Sequence, residues 1–231
     1  MDAALSPCLG ELFPAGAVAA ELREPGCPAL LLPAEAQFLG KALRKRAQEF
    51  AAGRVCARRL LAEFGIRDFP LAVAEDRQPL WPDGIVGSIT HTTGFCAAVV
   101  AQKNRLAAIG LDCEIAAGVK PELWSAICTP DESLWLSSLP ESERKPAATL
   151  IFSAKEAFYK CQYPLTRERL RFHDVSVEPL AWGNHRGDLV VRTHRSIAFA
   201  AHAVLPMQGR YLFHEQFVTA GIAAVAPPAS S

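Results

Sequence analysis

The sequence predicts an α+β protein made of two similar lobes, each a helix packed on an antiparallel sheet. A stretch of helical period followed by short alternating apolar runs occurs in the first half of the chain, and the same succession returns in the second. With 231 residues and 50% hydrophobic composition there is ample material for a core, either as one large domain or as two small ones. No internal repeat is strong enough to quote, so the likeness of the halves lies in pattern and not in residue identity.

Taken in order, residues 1–34 are rich in Pro and Gly and read as an irregular segment that wraps the fold, with one candidate strand at 29–32. Helical spacing occupies 35–64 with Gly53 in its middle, and Asp68-Phe69-Pro70 opens a loop. A strand at 86–90 leads to a turn at Thr92-Thr93-Gly94. The runs 95–101 and 106–115 then read as an antiparallel pair about Lys103-Asn104. In the second half, helices at 131–138 and 147–161 precede strands at 171–177, 188–193, 197–205 and 211–218, and 226–231 read as a disordered tail. A division near Arg105 gives an N-terminal lobe of 1–105 and a C-terminal lobe of 106–225.

Net charge is zero, so the molecule lacks the basic field of a nucleic-acid binder. The seven cysteines are odd in number and never closer than fifteen residues, which suggests neither a disulfide framework nor a C-x-x-C metal site; they read as reduced core thiols. The start does not resemble a signal peptide and no apolar run approaches 18 residues, so the expected location is the cytoplasm, away from membranes.

Chemistry concentrates in two acidic segments and one basic one. In Ile109-Gly110-Leu111-Asp112-Cys113-Glu114-Ile115 the apolar residues alternate with Gly110, Asp112 and Glu114, so a strand points both carboxylates to one face, which the glycine keeps open. In Phe152-Ser153-Ala154-Lys155-Glu156-Ala157-Phe158-Tyr159-Lys160, helical spacing puts Glu156 and Lys160 on one side, with Phe152 and Tyr159 packing around it. Three carboxylates and one ammonium can then converge. Carboxylate oxygens completed by water and phosphate are what Mg²⁺ prefers, and a lysine beside them can neutralise a phosphoryl oxygen.

The basic segment runs from Lys41 to Arg59, with seven cations against the single acid Glu49. Leu43, Ala47, Phe50, Ala57 and Leu61 form its apolar line; Arg54 falls on that line and Arg46 lies one turn before Phe50. Arg54 either snorkels to solvent, pairs with a protein acid, or offers its fork to phosphate oxygens. His91 directly follows the strand 86–90, where side chains often face a cleft. The histidines at 173, 185, 194, 202 and 214 show no metal spacing and are assigned nothing.

The two acidic segments, in this order and at this separation, resemble the motifs of the 4′-phosphopantetheinyl transferases of the monomeric, double-length type, most like its enterobactin-synthetase members. Two further segments match. Residues 77–91, ending in Gly87-Ser88-Ile89-Thr90-His91, look like that family's Gly-Ser-Ile-Ser-His stretch, and Phe50-Ala51-Ala52-Gly53-Arg54-Val55-Cys56-Ala57-Arg58 resembles its A-G-R-x-C/A-A-R helix. Together the four ordered matches span residues 46–160. The resemblance implies a pseudo-dimer of two lobes with coenzyme A in the cleft between them. It implies phosphate contacts from Arg46, Arg54, His91, Lys160 and, more weakly, Arg77, and a metal, Mg²⁺ or Mn²⁺, on Asp112, Glu114 and Glu156.

The implied reaction is transfer of the phosphopantetheine arm of coenzyme A to a serine of an apo acyl or peptidyl carrier protein. Glu156 would act as base and Lys160 would offset charge on the leaving oxygen. Thr90 stands where serine is commoner, Cys113 replaces an aliphatic residue, and Ala157 replaces a serine; none of these removes a charged group. A coenzyme A-binding protein without catalysis, or a metal-dependent phosphohydrolase, could use the same groups.

Overall fold

The computed structural model describes residues 3–40, 43–201 and 205–225. The first sheet holds β1 (Ala4–Leu5), β2 (Val18–Leu22), β3 (Ile85–Thr92) and β4 (Phe95–Gln102) in the order β1-β2-β4-β3, all antiparallel. Two short helices, α1 (Pro7–Gly10) and α2 (Pro33–Ala36), precede the long helix α3 (Arg44–Glu63), which crosses this sheet. α3 is rich in alanine and free of proline, and its Ala52, Cys56, Leu60 and Leu61 pack on Ala20, Leu22, Cys96, Ala98 and Val100.

The second sheet is built from β5 (Leu106–Ile115), β6 (Val175–Pro179), β7 (Arg186–Thr193), β8 (Met207–His214) and β9 (Phe217–Val225) in the order β5-β9-β8-β7-β6. α4 (Trp124–Ile127) and α5 (Pro130–Ser138) lead to the 26-residue helix α6 (Glu141–Thr166). A capping box starts α5: Thr129 accepts from the amide of Glu132, whose side chain accepts from the amide of Thr129. The inner face of α6, including Leu150, Ala154, Ala157, Phe158 and Cys161, packs on residues of β7, β8 and β9. Each half is therefore a long helix on an antiparallel sheet, the α+β arrangement the sequence predicts.

The two sheets meet edge to edge. β3 and β5 are end strands of their sheets, and side-chain hydroxyls on β3 take the place of a backbone ladder. The amide of Leu111 donates to Ser88 Oγ at 3.1 Å and that of Cys113 to Thr90 Oγ1 at 3.0 Å. Each strand thereby covers the other's open edge. Thr90 serves this seam through the hydroxyl it shares with serine.

Several expectations are corrected. The runs 95–101 and 106–115 are strands but do not pair: β4 bonds β2 and β3, and β5 bonds β9, so the chain crosses between sheets at 103–105. Residues 1–34 contribute two strands, and 28–30 form a 3₁₀ turn where a strand was expected at 29–32. The single helix expected over 35–64 is divided into α2 at Pro33–Ala36 and α3 from Arg44, and Leu43 is 82% exposed instead of lying on its apolar line. Residues 211–218 belong to two strands with a turn between them, and 198–201 form a 3₁₀ turn within the strand expected at 197–205. The expected tail at 226–231 lies outside the described residues. All seven cysteines are free; five are buried, Cys27 is half-buried and Cys8 is exposed.

Candidate active site

α6 approaches β5 at Gly110, where an added Cβ would stand 1.9 Å from the carbonyl oxygen of Ala157. The face on which Gly110, Asp112 and Glu114 were expected to lie open is thus the face on which α6 rests. Ser153 Oγ fixes the helix by donating to the carbonyl of Asp112 at 3.0 Å, one turn before Glu156. Lys160 then reaches Asp112 Oδ1 at 2.8 Å and the carbonyl of Leu111 at 3.2 Å. Thr90 donates to the same Oδ1 from across the seam at 3.3 Å. Asp112 is 4% exposed, and its Oδ2 is buried without a hydrogen-bond partner.

Glu114 and Glu156, both half-buried, belong to the same field. Burial, then the charge of Asp112, push the Glu114 carboxyl up to about 7 against the opposing pull of Lys160, and Glu156 adds to the rise. Burial and then Asp112 raise Glu156 as well, again opposed by Lys160. Phe152 packs on Phe172, and Tyr159 stacks on Tyr163, with ring centres 5.6 and 5.1 Å apart.

The opposite wall comes from α3 and β3. Arg54 is 6% exposed, so it does not snorkel, and among the described residues no carboxylate pairs with it. Its Nε donates to the carbonyl of Leu71 at 3.3 Å and its guanidinium lies 3.8 Å from the centre of the Phe50 ring. Burial lowers it to about 10 despite the charge of Glu35. Arg46 donates to His91 Nε2 at 3.0 Å. Burial lowers His91, with Glu49 opposing. Much of the remaining basic charge is already matched, since Arg58 pairs with the buried Glu35 and Arg59 with Glu63.

Between the walls runs a cleft of about 840 Å³. Of the residues singled out in the sequence, Arg46, Arg54, Arg77, His91, Glu156 and Lys160 line it. Asp112 and Glu114 are not part of the lining; Asp112 is joined to it through Lys160. Sequence reasoning missed Trp81, whose ring covers Gly87 where a Cβ would stand 2.5 Å from it, and also Tyr163, Lys103 and Arg169. Trp81 lies inside the matched segment 77–91, whereas the other three carry no spacing signal.

Among the described residues no three His, Cys, Asp or Glu side chains stand ready as a metal cage, so the convergence expected of the three carboxylates is looser than a finished coordination shell. Their chemistry still suits a hard divalent cation. All donors are carboxylate oxygens, one buried oxygen lacks a partner, and three acids face one ammonium.

Comparison with known proteins shows the family of the chain. The 4′-phosphopantetheinyl transferase N-terminal domain matches residues 34–101, and the 4′-phosphopantetheinyl transferase superfamily matches 108–213. The 4′-phosphopantetheinyl transferase Svp of Streptomyces mobaraensis is 36% identical over 86% of this chain and 80% of its own length. The transferase Npt of Nocardia iowensis is 37% identical over 72% of this chain and 74% of its own. Enterobactin synthase component D of Salmonella typhi is 41% identical over 53% and 50%. With both family domains matched in order and Svp aligned along most of its length, the chain belongs to the 4′-phosphopantetheinyl transferases.

Proposed function

We propose that this enzyme transfers the 4′-phosphopantetheine arm of coenzyme A to a serine hydroxyl of an apo acyl or peptidyl carrier protein, releasing 3′,5′-ADP, in the cleft between its lobes. The observation that carries this reading is the opposite electrostatic need of the two walls. Burial pushes the Arg54 guanidinium and the His91 imidazole down on one side, disfavouring their charged forms, and pushes up the acids Glu156 and, behind it, Glu114 on the other. An anion relieves the first wall and a cation the second, which is what a phosphate ester bound with a divalent metal supplies.

In this reading Arg46, Arg54, Arg77 and His91 hold the phosphates of coenzyme A, with Arg54 presenting a guanidinium already stripped of water. Glu156, raised by its surroundings, takes the proton of the carrier's serine as the hydroxyl attacks the β-phosphorus, directly or through a water. Lys160, fixed by Asp112 and the Leu111 carbonyl, faces the charge that grows as the bond to the departing 3′,5′-ADP breaks. Asp112, Glu114 and Glu156 would hold the metal, Mg²⁺ with Mn²⁺ as a substitute, which when bound polarises the pyrophosphate. The lobes divide near Arg105 into 1–105 and 106–225. Because one chain supplies both walls, the enzyme works as a monomer, in the cytoplasm. Among the described residues no helix is long and apolar enough to cross a membrane.

The test is intact-mass spectrometry of a panel of apo carrier proteins incubated with the enzyme, coenzyme A and Mg²⁺, beside a chelated sample and Glu156→Gln. A gain of one phosphopantetheine arm, lost in both controls, is the expected result. Coenzyme A binding with no mass gain on any carrier would overturn the catalytic reading.

A further inference from the structure

α3 carries two acids among its many cations: Glu63 pairs with Arg59, and Glu49 stands between two residues of the proposed phosphate wall. Glu49 Oε2 lies 3.8 Å from Arg46 Nη1 and 3.8 Å from His91 Nδ1, and its other oxygen lies 3.9 Å from Lys45 Nζ. Its side chain is 22% exposed and lines the cleft. Arg46 and His91 touch each other at 3.0 Å, and because a guanidinium can only donate, His91 Nε2 is the acceptor there. The ring proton of the neutral imidazole is then on Nδ1, the side that faces Glu49.

We infer that Glu49 is a positioning residue for the coenzyme A phosphate site: it holds the proton of His91 on Nδ1 in the free enzyme and supports the imidazolium once a phosphate arrives. The inference rests on the proposal that Arg46 and His91 contact a phosphate of coenzyme A. When Arg46 turns its N–H groups to phosphate oxygens, His91 Nε2 loses its donor. One proton taken from solvent makes Nε2 a donor to the same phosphate, and Glu49 beside Nδ1 offsets the charge so formed. The charged groups around His91 are Glu49 and Arg46 from α3, Lys160 from α6 and Asp112 from β5. Burial and the two cations oppose the protonated ring. The two acids favour it, Glu49 more strongly than Asp112.

The experiment is calorimetric titration of coenzyme A into the wild type, Glu49→Gln, Glu49→Asp, His91→Gln and the double variant, from about pH 5.5 to 8.5. The ring protons of His91 are followed by NMR in the ligand-free proteins. Wild-type affinity should fall as pH rises through the titration of His91, and in Glu49→Gln that fall should come at lower pH. Near neutrality Glu49→Gln should bind about three- to tenfold more weakly, with kcat at saturating coenzyme A little changed, and Glu49→Asp should restore most of the affinity. The double variant should bind no worse than His91→Gln. A Glu49→Gln profile that superimposes on the wild type, or a loss equal at every pH and additive with His91→Gln, overturns the inference. If His91→Gln leaves coenzyme A affinity intact, the phosphate reading of His91 fails instead. In that case the NMR titration decides the Glu49 inference alone, and an unmoved His91 in Glu49→Gln overturns it.

Discussion

Replacing Gly110 by alanine probes how closely α6 must sit on β5. The new Cβ would lie 1.9 Å from the Ala157 carbonyl oxygen, 2.8 Å from the Cys161 amide nitrogen and 2.9 Å from the Ala157 carbonyl carbon. These are backbone atoms, so no rotamer change relieves the overlap. Reaching an ordinary contact of 3.4 Å requires α6 and β5 to separate by about 1.5 Å. That displacement is enough to part Lys160 Nζ from Asp112 Oδ1, now at 2.8 Å, and Ser153 Oγ from the Asp112 carbonyl, now at 3.0 Å. Overpacking of this kind costs about 1–3 kcal/mol, which in a chain of this size lowers the melting temperature by roughly 2–12 °C. Misplacing the reacting groups by more than 1 Å lowers kcat/KM by about a hundredfold. Circular-dichroism melting and the carrier mass assay read the two effects, while coenzyme A affinity should suffer less because Arg46, Arg54 and His91 belong to the other lobe. A Gly110→Ala enzyme with an unchanged melting temperature and full transfer activity would refute the claim that helix–strand contact sets the site.

Arg54→Met separates function from stability: removing a buried guanidinium that has no acidic partner among the described residues should leave the melting temperature equal or higher, while coenzyme A affinity falls about tenfold or more, the worth of a charge-assisted hydrogen bond. A drop in stability with unchanged affinity would mark Arg54 as structural. Glu114 makes the metal-free fold pH-dependent. Its folded value of about 7 exceeds the ordinary 4.5, so the folded state keeps a proton the unfolded state releases; the group's stability is intact below about pH 4.5 and lost as pH rises through 7. Melting temperatures in chelator at pH 5 and pH 8 should therefore differ less for Glu114→Gln than for the wild type, and equal differences would sink the assignment.

The helix–sheet composition of each half was legible because α3, α6, β3, β4 and β5 carry unambiguous periodicities. Pairing was not. The adjacent runs 95–101 and 106–115 looked like a hairpin, yet nothing local reveals that Leu106 starts the edge of another sheet whose neighbour, β9, is the last strand of the chain. β1 and β2 were hidden by the Pro- and Gly-rich composition around them, since five residues of Val18–Leu22 supply too short a pattern. In the site, residue identity carried Asp112, Glu156, Lys160, Arg46 and Arg54, but the packing relation was inverted at Gly110. A glycine beside two acids reads as open space, and whether a helix fills that space is a tertiary fact.

Thr90 shows why the site belongs to the seam and not to either lobe. Its hydroxyl accepts from the Cys113 amide and donates to Asp112 Oδ1, so one side chain joins β3 to β5 and also orients the carboxylate that holds Lys160. The next residue, His91, begins the opposite wall of the cleft through Arg46. From Arg46 through His91, Thr90 and Asp112 to Lys160, each step is a sequence neighbour or a polar contact no longer than 3.3 Å, and the path crosses from α3 to α6. A shift between the lobes would therefore break the seam bonds of Ser88 and Thr90, including one to a buried carboxylate whose other oxygen has no partner. Catalytic geometry and lobe docking are thus one structural condition. This explains how two loosely similar halves can hold a site that neither contains, and the apolar cluster behind the seam, where Phe95, Ala97 and Val99 meet Ile109, Leu111 and Phe217, backs it.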